Sequence, residues 1–358
     1  MTIDLFELTA ELVDVASESR SEQQLVSIIE DRLRALPHLT VTRVGDNLVA
    51  RTELGRSRRV LFGGHTDTVP ANGNAAARIE GDVLWGVGSA DMKGGLAVML
   101  RSAVEHVEPA VDLTYVFYAR EEIAASESGL EELFVAVPEL LEADLAILGE
   151  PTDAAIEAGC QGSIRAQVTF RGARAHLARA WMGRNAVHRL GKLLVFLDEF
   201  EPRRPLLAGC QFHEALLAVG VEGGVSGNVV PDVATLAVAH RFAPDRSAAV
   251  AEQYLRDQLA PFLDEGDTID ILDVAPAAPP VVDHPLVAAV IARHALEVRA
   301  KLGWTDVARF AVRGIPAVNL GSGDPTLAHT AGEHVERSSL ERVWVVVDDL
   351  VNGADRPL

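Results

Sequence analysis

The sequence predicts an α/β protein: a mixed, mostly parallel sheet with helices on both faces, interrupted by an inserted α+β domain. Short apolar strands recur at 60–64, 113–119 and 144–148, separated by helical stretches such as 92–107, and that alternation implies parallel strands covered on both sides. From about 162 to 275 the pattern changes to half-exposed, period-two strands with two helices. A chain of 358 residues also exceeds one ordinary domain. The expected division is a discontinuous domain, 1–161 and 276–358, carrying an insert at 162–275.

Taken in order, Leu25, Ile28, Ile29, Leu33 and Leu36 follow a helical period, and Ser21 with Gln24 suggests a capping box at its start. The three apolar strands and their helices follow. In the insert, "SIRAQVTFRG" and "TLAVAHRFAP" alternate polar and apolar residues, with helices expected over 182–200 and 247–263. The proline cluster "APAAPPVVDHP" (275–285) reads as the exit linker. A helix over 285–301, a short strand at "IPAVNL" and a final helix over 337–351 complete the chain.

Composition excludes several classes. Asp+Glu number 52 against Lys+Arg 32, a net charge of −20, which argues against nucleic acid and anionic membranes as partners. No apolar run reaches the roughly 18 residues of a spanning helix, and the N-terminal "MTIDLFELTAELVD" lacks the basic start of a signal peptide. Cys160 and Cys210 form no CxxC pair or disulfide framework and read as reduced, buried thiols. A cytoplasmic location is expected. Neither a G-x-x-x-x-G-K-S/T loop nor a G-x-G-x-x-G fingerprint is present, so a nucleotide enzyme has little support.

The chemistry lies where strands end. In open α/β sheets, ligands bind beyond the carboxyl ends of strands. His65 and Asp67 follow the first strand ("GGHTDTVP"), Glu121 and Glu122 the second ("YVFYAREE"), and Glu150 the third ("LAILGEP"). Asp91 in "GSADMKGG" sits where a glycine-rich turn enters a helix, and "LAHTAGEHV" places His329 in a loop after a further strand, with His334 competing for its role. Singly each has a bland reading: a structural histidine, an N-cap, a solvated acidic pair, a turn. Gathered on one rim, adjacent glutamates at a buried strand end demand a compensating cation or proton. A metal site answers that demand economically.

"GHTDTVP", "GSADMKGG", "AREE", "GEPT" and "AHTAGE" occur in the order and spacing of the co-catalytic zinc aminoacylase/carboxypeptidase family, which the chain resembles over nearly its whole length. That family includes amidohydrolases such as acetylornithine deacetylase and succinyl-diaminopimelate desuccinylase. "HLARAWMGRNAVH" and "KLGWTDVARF" are most similar to the desuccinylases of high-GC Gram-positive bacteria. The resemblance implies two zinc ions per subunit, with cobalt able to substitute. Asp91 would bridge them, His65 and Glu150 completing one site, Glu122 and His329 the other. Asp67 would hold the His65 imidazole, and Glu121 would be the general base beside a metal-bound water, whose pKa such a metal lowers to about 7. The insert would serve as a lid and dimerisation domain. By the same resemblance, His176 would stabilise the oxyanion from the other subunit of a homodimer. Its own setting suggests a surface histidine on a loop. Arg179, Asn228, Arg241 and Thr305 would contact the substrate.

The implied reaction is hydrolysis of N-succinyl-LL-2,6-diaminopimelate to succinate and LL-2,6-diaminopimelate, in diaminopimelate and lysine biosynthesis. Departures exist: many desuccinylases carry Arg where Gln161 stands and an aromatic residue where Arg179 stands. Deacetylation of acetylornithine, or removal of another acyl group by a deacylase or carboxypeptidase of the family, is therefore the alternative. A metal-free binding protein is the remote one, since such proteins usually lose ligands that this chain retains.

Overall fold

The computed structural model describes residues 3–353. The chain divides into two compact units. One is built from the chain up to Ala158, Val281–Arg299 and the chain from Arg309; the other from Gly159–Pro280 and Ala300–Ala308. The segment 300–308, read from sequence as part of the discontinuous domain, groups with the second unit.

An eight-stranded sheet organises the first unit. Its order is Thr40–Val44, Asn47–Arg51, Asp112–Tyr118, Arg59–His65, Leu145–Leu148, Ala317–Asn319, Ile156–Cys160, Val298–Lys301. The four strands from Asp112–Tyr118 to Ala317–Asn319 run parallel. An antiparallel hairpin flanks them on one side and antiparallel Ile156–Cys160 on the other, giving the mixed α/β class. Every residue of Asp112–Tyr118 is buried, as are all of Arg59–His65 but the first, the signature of strands covered on both faces. Helices Leu5–Val13, Gly94–Glu105 and Arg337–Asn352 pack against one another. Gly64 explains how closely the second of these seats on its strand: a Cβ there would stand 2.6 Å from Met92 Cε and 2.7 Å from Leu96 Cδ2.

Two local expectations need correction, and one element went unread. The helix Gln23–Arg34 has Glu22, not Ser21, at its N-cap, and no side chain caps it, because the buried Glu22 carboxylate turns to the N–H of Arg120 instead. The expected helix over 285–301 stops at His294, where Ala295 takes a left-handed conformation (φ 49), and Val298–Lys301 becomes the last strand of the sheet. The hairpin Thr40–Arg51 carries too little continuous apolar sequence to announce itself, yet it extends the other edge of the sheet.

The second unit holds a four-stranded antiparallel sheet, in the order Ala215–Gly223, Val233–Phe242, Gly162–Arg171, Thr268–Ala275. Ile164, Val168, Phe170, Leu236 and Val238 project from it into one core with Leu190 and Leu193 of the helix Ala186–Asp198 and Leu255 of the helix Ala248–Leu259. Period-two burial along both inner strands matches their sequence alternation. The outer two strands escape sequence reading because most of their side chains are exposed.

Candidate metal centre

All four parallel strands of the first unit deliver side chains at their carboxyl ends. His65 closes Arg59–His65, Glu121 and Glu122 follow Asp112–Tyr118, Glu150 follows Leu145–Leu148, and His329 lies in the loop after Ala317–Asn319. Asp91 comes from the irregular turn Ser89–Lys93, which leads into the helix Gly94–Glu105. A small antiparallel sheet, Arg78–Glu80, Val83–Trp85 and His334–Glu336, ties the His329 loop to the approach of that turn.

These side chains converge. His65 Nε2 lies 3.0 Å from Asp91 Oδ1, His329 Nε2 lies 3.5 Å from Asp91 Oδ2, and the same nitrogen is 2.8 Å from Glu122 Oε1. Among the described residues, three groups offer donor atoms within 4.8 Å of one another: His65, Asp91 and Glu150; Asp91, Glu122 and His329; and His65, Glu121 and Glu122. The first two share Asp91, whose two oxygens face different histidines. Nitrogen and carboxylate oxygen donors in threes suit a catalytic zinc site, which keeps one position open. Glu121 is thus within reach of the centre as well as beside it.

Electrostatics follow from this packing. Burial opposes charge on His65, but the Asp91 carboxylate outweighs it and holds the imidazole pKa well above its ordinary value. Asp91 and Glu122 push His329 up to about 10. Burial works against ionisation of Asp91, yet His329 and His65 hold its carboxyl well below the usual range. A cation arriving at these atoms displaces protons, so its binding is pH-dependent.

The surrounding contacts refine two sequence readings. His65 Nδ1 is 2.9 Å from the main-chain carbonyl of Asp67; a carbonyl only accepts, so Nδ1 donates and Nε2 is left to face the centre. The Asp67 carboxylate lies farther from that nitrogen, at 3.6 Å, because it is engaged by the N–H groups of Glu121 (3.0 Å) and Glu122 (3.1 Å) and by the Ser19 hydroxyl (2.8 Å). Of the competing histidines, His329 joins the cluster. His334 bonds the Gly332 carbonyl through Nδ1 and packs on Trp85, ring centroids 4.4 Å apart.

Glu333 was missed. Its Oε1 accepts from the N–H groups of Ala90 and Asp91, both at 3.1 Å, and burial together with the nearby Asp91 charge pushes its pKa up to about 7. Its place four residues after His329 was the available signal.

The remaining candidates belong to the second unit. His176 and Asn228 are exposed neighbours there: a β-bridge joins His176 to Val229, and the Leu177 N–H donates to the Asn228 carbonyl. Arg179 is exposed in the short helix Leu177–Met182. Arg241 stands on the strand Val233–Phe242 with Nη1 buried, and Thr305 is buried. Gln161 is buried and donates Nε2 to the His213 carbonyl at 2.7 Å.

The sequence profile of peptidase family M20/M25/M40 matches residues 61–353. The chain belongs to that family. A Mycobacterium tuberculosis protein provisionally named succinyl-diaminopimelate desuccinylase DapE is 48% identical over 337 residues, 93% of each chain. The Corynebacterium glutamicum succinyl-diaminopimelate desuccinylase is 42% identical over 91% of this chain and 90% of its own. Among solved structures, a tripeptidase from Staphylococcus aureus superposes with a TM-score of 0.79 at 21% identity, covering 99% of this chain and 98% of that one, which shows the shared M20 fold. The M20 family is one of metal-dependent hydrolases, and the donor groups described above are candidate metal-binding groups.

Proposed function

We propose that this protein is a dinuclear zinc amidohydrolase that cleaves N-succinyl-LL-2,6-diaminopimelate to succinate and LL-2,6-diaminopimelate, serving diaminopimelate and lysine biosynthesis in the cytoplasm. The observation that carries the reading is the pair of donor groups sharing Asp91, with Glu121 alongside. Relatives at 42% and 48% identity bear the desuccinylase name.

His65 and Glu150 would hold one zinc, Glu122 and His329 the other, with Asp91 common to both; cobalt would fit the same donors. Zinc bound there supplies Lewis acidity toward the amide carbonyl and lowers the pKa of water. The protein's own residues do the rest. Glu121 takes a proton from the attacking water and hands it to the leaving amine nitrogen. The Asp67 carbonyl keeps the His65 ring in the tautomer that leaves Nε2 for the metal. Arg179 and Arg241 are the cations for substrate carboxylates, a task suited to planar guanidinium groups. Asn228 and Thr305 complete the substrate contacts, and His176 serves the partner subunit's oxyanion.

A homodimer formed through the second unit is part of this reading. The edge strand Ala215–Gly223 exposes Leu217, Val219 and Val221 at 56%, 63% and 53%. An apolar edge strand of that kind invites pairing with another copy.

Turnover of zinc-loaded protein on N-succinyl-LL-2,6-diaminopimelate and N-acetylornithine tests the assignment. A higher kcat/KM for the succinyl compound is expected. Preference for the acetyl compound would overturn the desuccinylase reading and favour the deacetylase one, in keeping with a neutral Gln161 where many desuccinylases have arginine.

A further inference from the structure

The turn that carries Glu121 and Glu122 is gripped from the N-terminal part of the chain. Past the strand Asp112–Tyr118, Arg120 adopts a left-handed backbone (φ 61), unfavourable for a residue with a Cβ and kept only where its surroundings impose it. Three successive main-chain N–H groups then meet two buried carboxylates. Arg120 donates to Glu22 Oε1 at 3.2 Å, Glu121 to Asp67 Oδ1 at 3.0 Å, and Glu122 to Asp67 Oδ2 at 3.1 Å. Ser19 Oγ donates to the same Asp67 Oδ2 at 2.8 Å.

The gripping segment is itself anchored. The Ser19 N–H donates to the Thr68 carbonyl, and the Thr68 N–H to the Ser17 carbonyl. Arg20 pairs with Glu127 at 2.7 Å. The Arg120 guanidinium is engaged elsewhere, Nε with the Glu127 carbonyl and Nη2 with Glu132. Glu22 therefore reaches this residue through its main chain.

We propose that Ser19, Glu22 and Asp67 form a backbone clamp that sets the direction in which Glu121 and Glu122 leave the turn, making Ser19 and Glu22 positioning residues for the hydrolysis. The need is physical. Two adjacent carboxylates disfavour one another's charge, yet Glu122 must meet His329 while Glu121 stays near His65, so the direction in which each leaves the main chain matters. The proposal rests on the reading of Glu121 as the base.

The test uses full-length protein carrying Glu22→Ala, Glu22→Gln or Ser19→Ala. Metal content, kcat and KM on N-succinyl-LL-2,6-diaminopimelate, and amide hydrogen exchange at residues 120–122 are measured on each. Gln retains a carbonyl acceptor for the Arg120 N–H, so it should stay near wild type in every measurement. Glu22→Ala removes the acceptor of the Arg120 N–H, and that amide should exchange about tenfold faster or more. Ser19→Ala removes the hydroxyl that orients Asp67 Oδ2, and the amides of Glu121 and Glu122 should exchange faster. Amides of Asp112–Tyr118 should keep their protection. The kcat should fall about tenfold or more at nearly unchanged KM, since small misplacements of a reacting group are costly. Unchanged exchange at 120–122 in Ser19→Ala, the variant least able to disturb folding, overturns the clamp. So does faster exchange with unchanged kcat per metal-loaded subunit. A Glu121→Gln enzyme that kept its turnover would instead remove the base assignment, and the exchange rates would still decide whether the clamp exists.

Discussion

Replacing Gly95 with alanine adds one methyl group at a close approach of two backbones beside the candidate metal centre. A Cβ on Gly95 would stand 2.4 Å from the Gly149 carbonyl oxygen and 3.0 Å from Met92 Cε. Ordinary contact begins near 3.4 Å, so the helix Gly94–Glu105 and the end of Leu145–Leu148 must part by about 1 Å. Gly149 has little room to retreat. Its N–H is bonded to the Gly63 carbonyl at 3.0 Å, and Gly321 crowds the same oxygen so closely that a Cβ there would stand 2.2 Å away. The displacement therefore reaches Asp91, at the turn feeding the helix, or Glu150, next to Gly149. Overpacking costs about 1–3 kcal/mol, and the better helix propensity of alanine returns about 1 kcal/mol, so Gly95→Ala is expected to lose about 1 kcal/mol of stability on balance. Activity should suffer more, because a misplacement of about 1 Å costs about 100-fold in rate. Gly191 is the control: it lies inside the helix Ala186–Asp198, and a Cβ there meets nothing within 4 Å. Gly191→Ala should stabilise the protein by about 0.5–1 kcal/mol and leave turnover unchanged. Urea unfolding, metal analysis and kcat on the two variants measure all of this. Wild-type metal content and turnover in Gly95→Ala would refute the claim that this close approach positions the centre.

Further outcomes can be stated briefly. Glu121→Gln should keep both metals while losing about 100- to 10,000-fold in kcat, the range of general acid–base catalysis; loss of metal in that variant would make Glu121 a ligand. Arg179→Ala should reduce kcat/KM for the succinyl substrate about 30-fold more than for an acetyl analogue if bound substrate covers this exposed guanidinium and its charge pair is then broken on one side; equal losses on both would mean that Arg179 does not read the acyl carboxylate. Asp267 accepts from the N–H groups of Arg171 and Asp264 and pairs with Arg189. Burial alone would raise its pKa, but these donors win and bring it down to about 2. A depressed folded-state pKa contributes stability that is present above the unfolded value near 4 and lost as pH falls toward 2. Asp267→Asn should therefore cost about 1.5–3 kcal/mol at pH 7 and almost nothing at pH 2; urea midpoints that shift equally at both pH values would contradict this.

Much of the first unit was readable because buried parallel strands advertise themselves as unbroken apolar runs. The polar residues that end such runs stand out against them, which is how His65, Glu121, Glu122 and Glu150 could be gathered on one rim. The elements that escaped have a different physics. The hairpin Thr40–Arg51 and the outer strands Ala215–Gly223 and Thr268–Ala275 are held by ladder hydrogen bonds to inner neighbours, a main-chain property that side-chain pattern barely encodes. The helix expected over 285–301 failed at Ala295, where a left-handed residue and an available sheet edge overrode helical propensity.

At the centre itself, residue types and strand-end positions were set by sequence, while mutual geometry was left to the fold. Sequence offered both His329 and His334; only the folded loop puts one against Glu122 and stacks the other on Trp85. It placed Asp67 beside His65, but which of the Asp67 oxygens faces the imidazole depends on Glu121, Glu122 and Ser19 arriving from 54, 55 and 48 residues away. Glu333 gripping the Asp91 turn from a separation of 242 residues belongs to the same class. The sequence by itself determined the chemical inventory and the parallel strands that present it, because both follow from local pattern. Tertiary structure alone decided which donor meets which acceptor, because a hydrogen bond depends on distance and direction between groups whose separation along the chain carries no record of either.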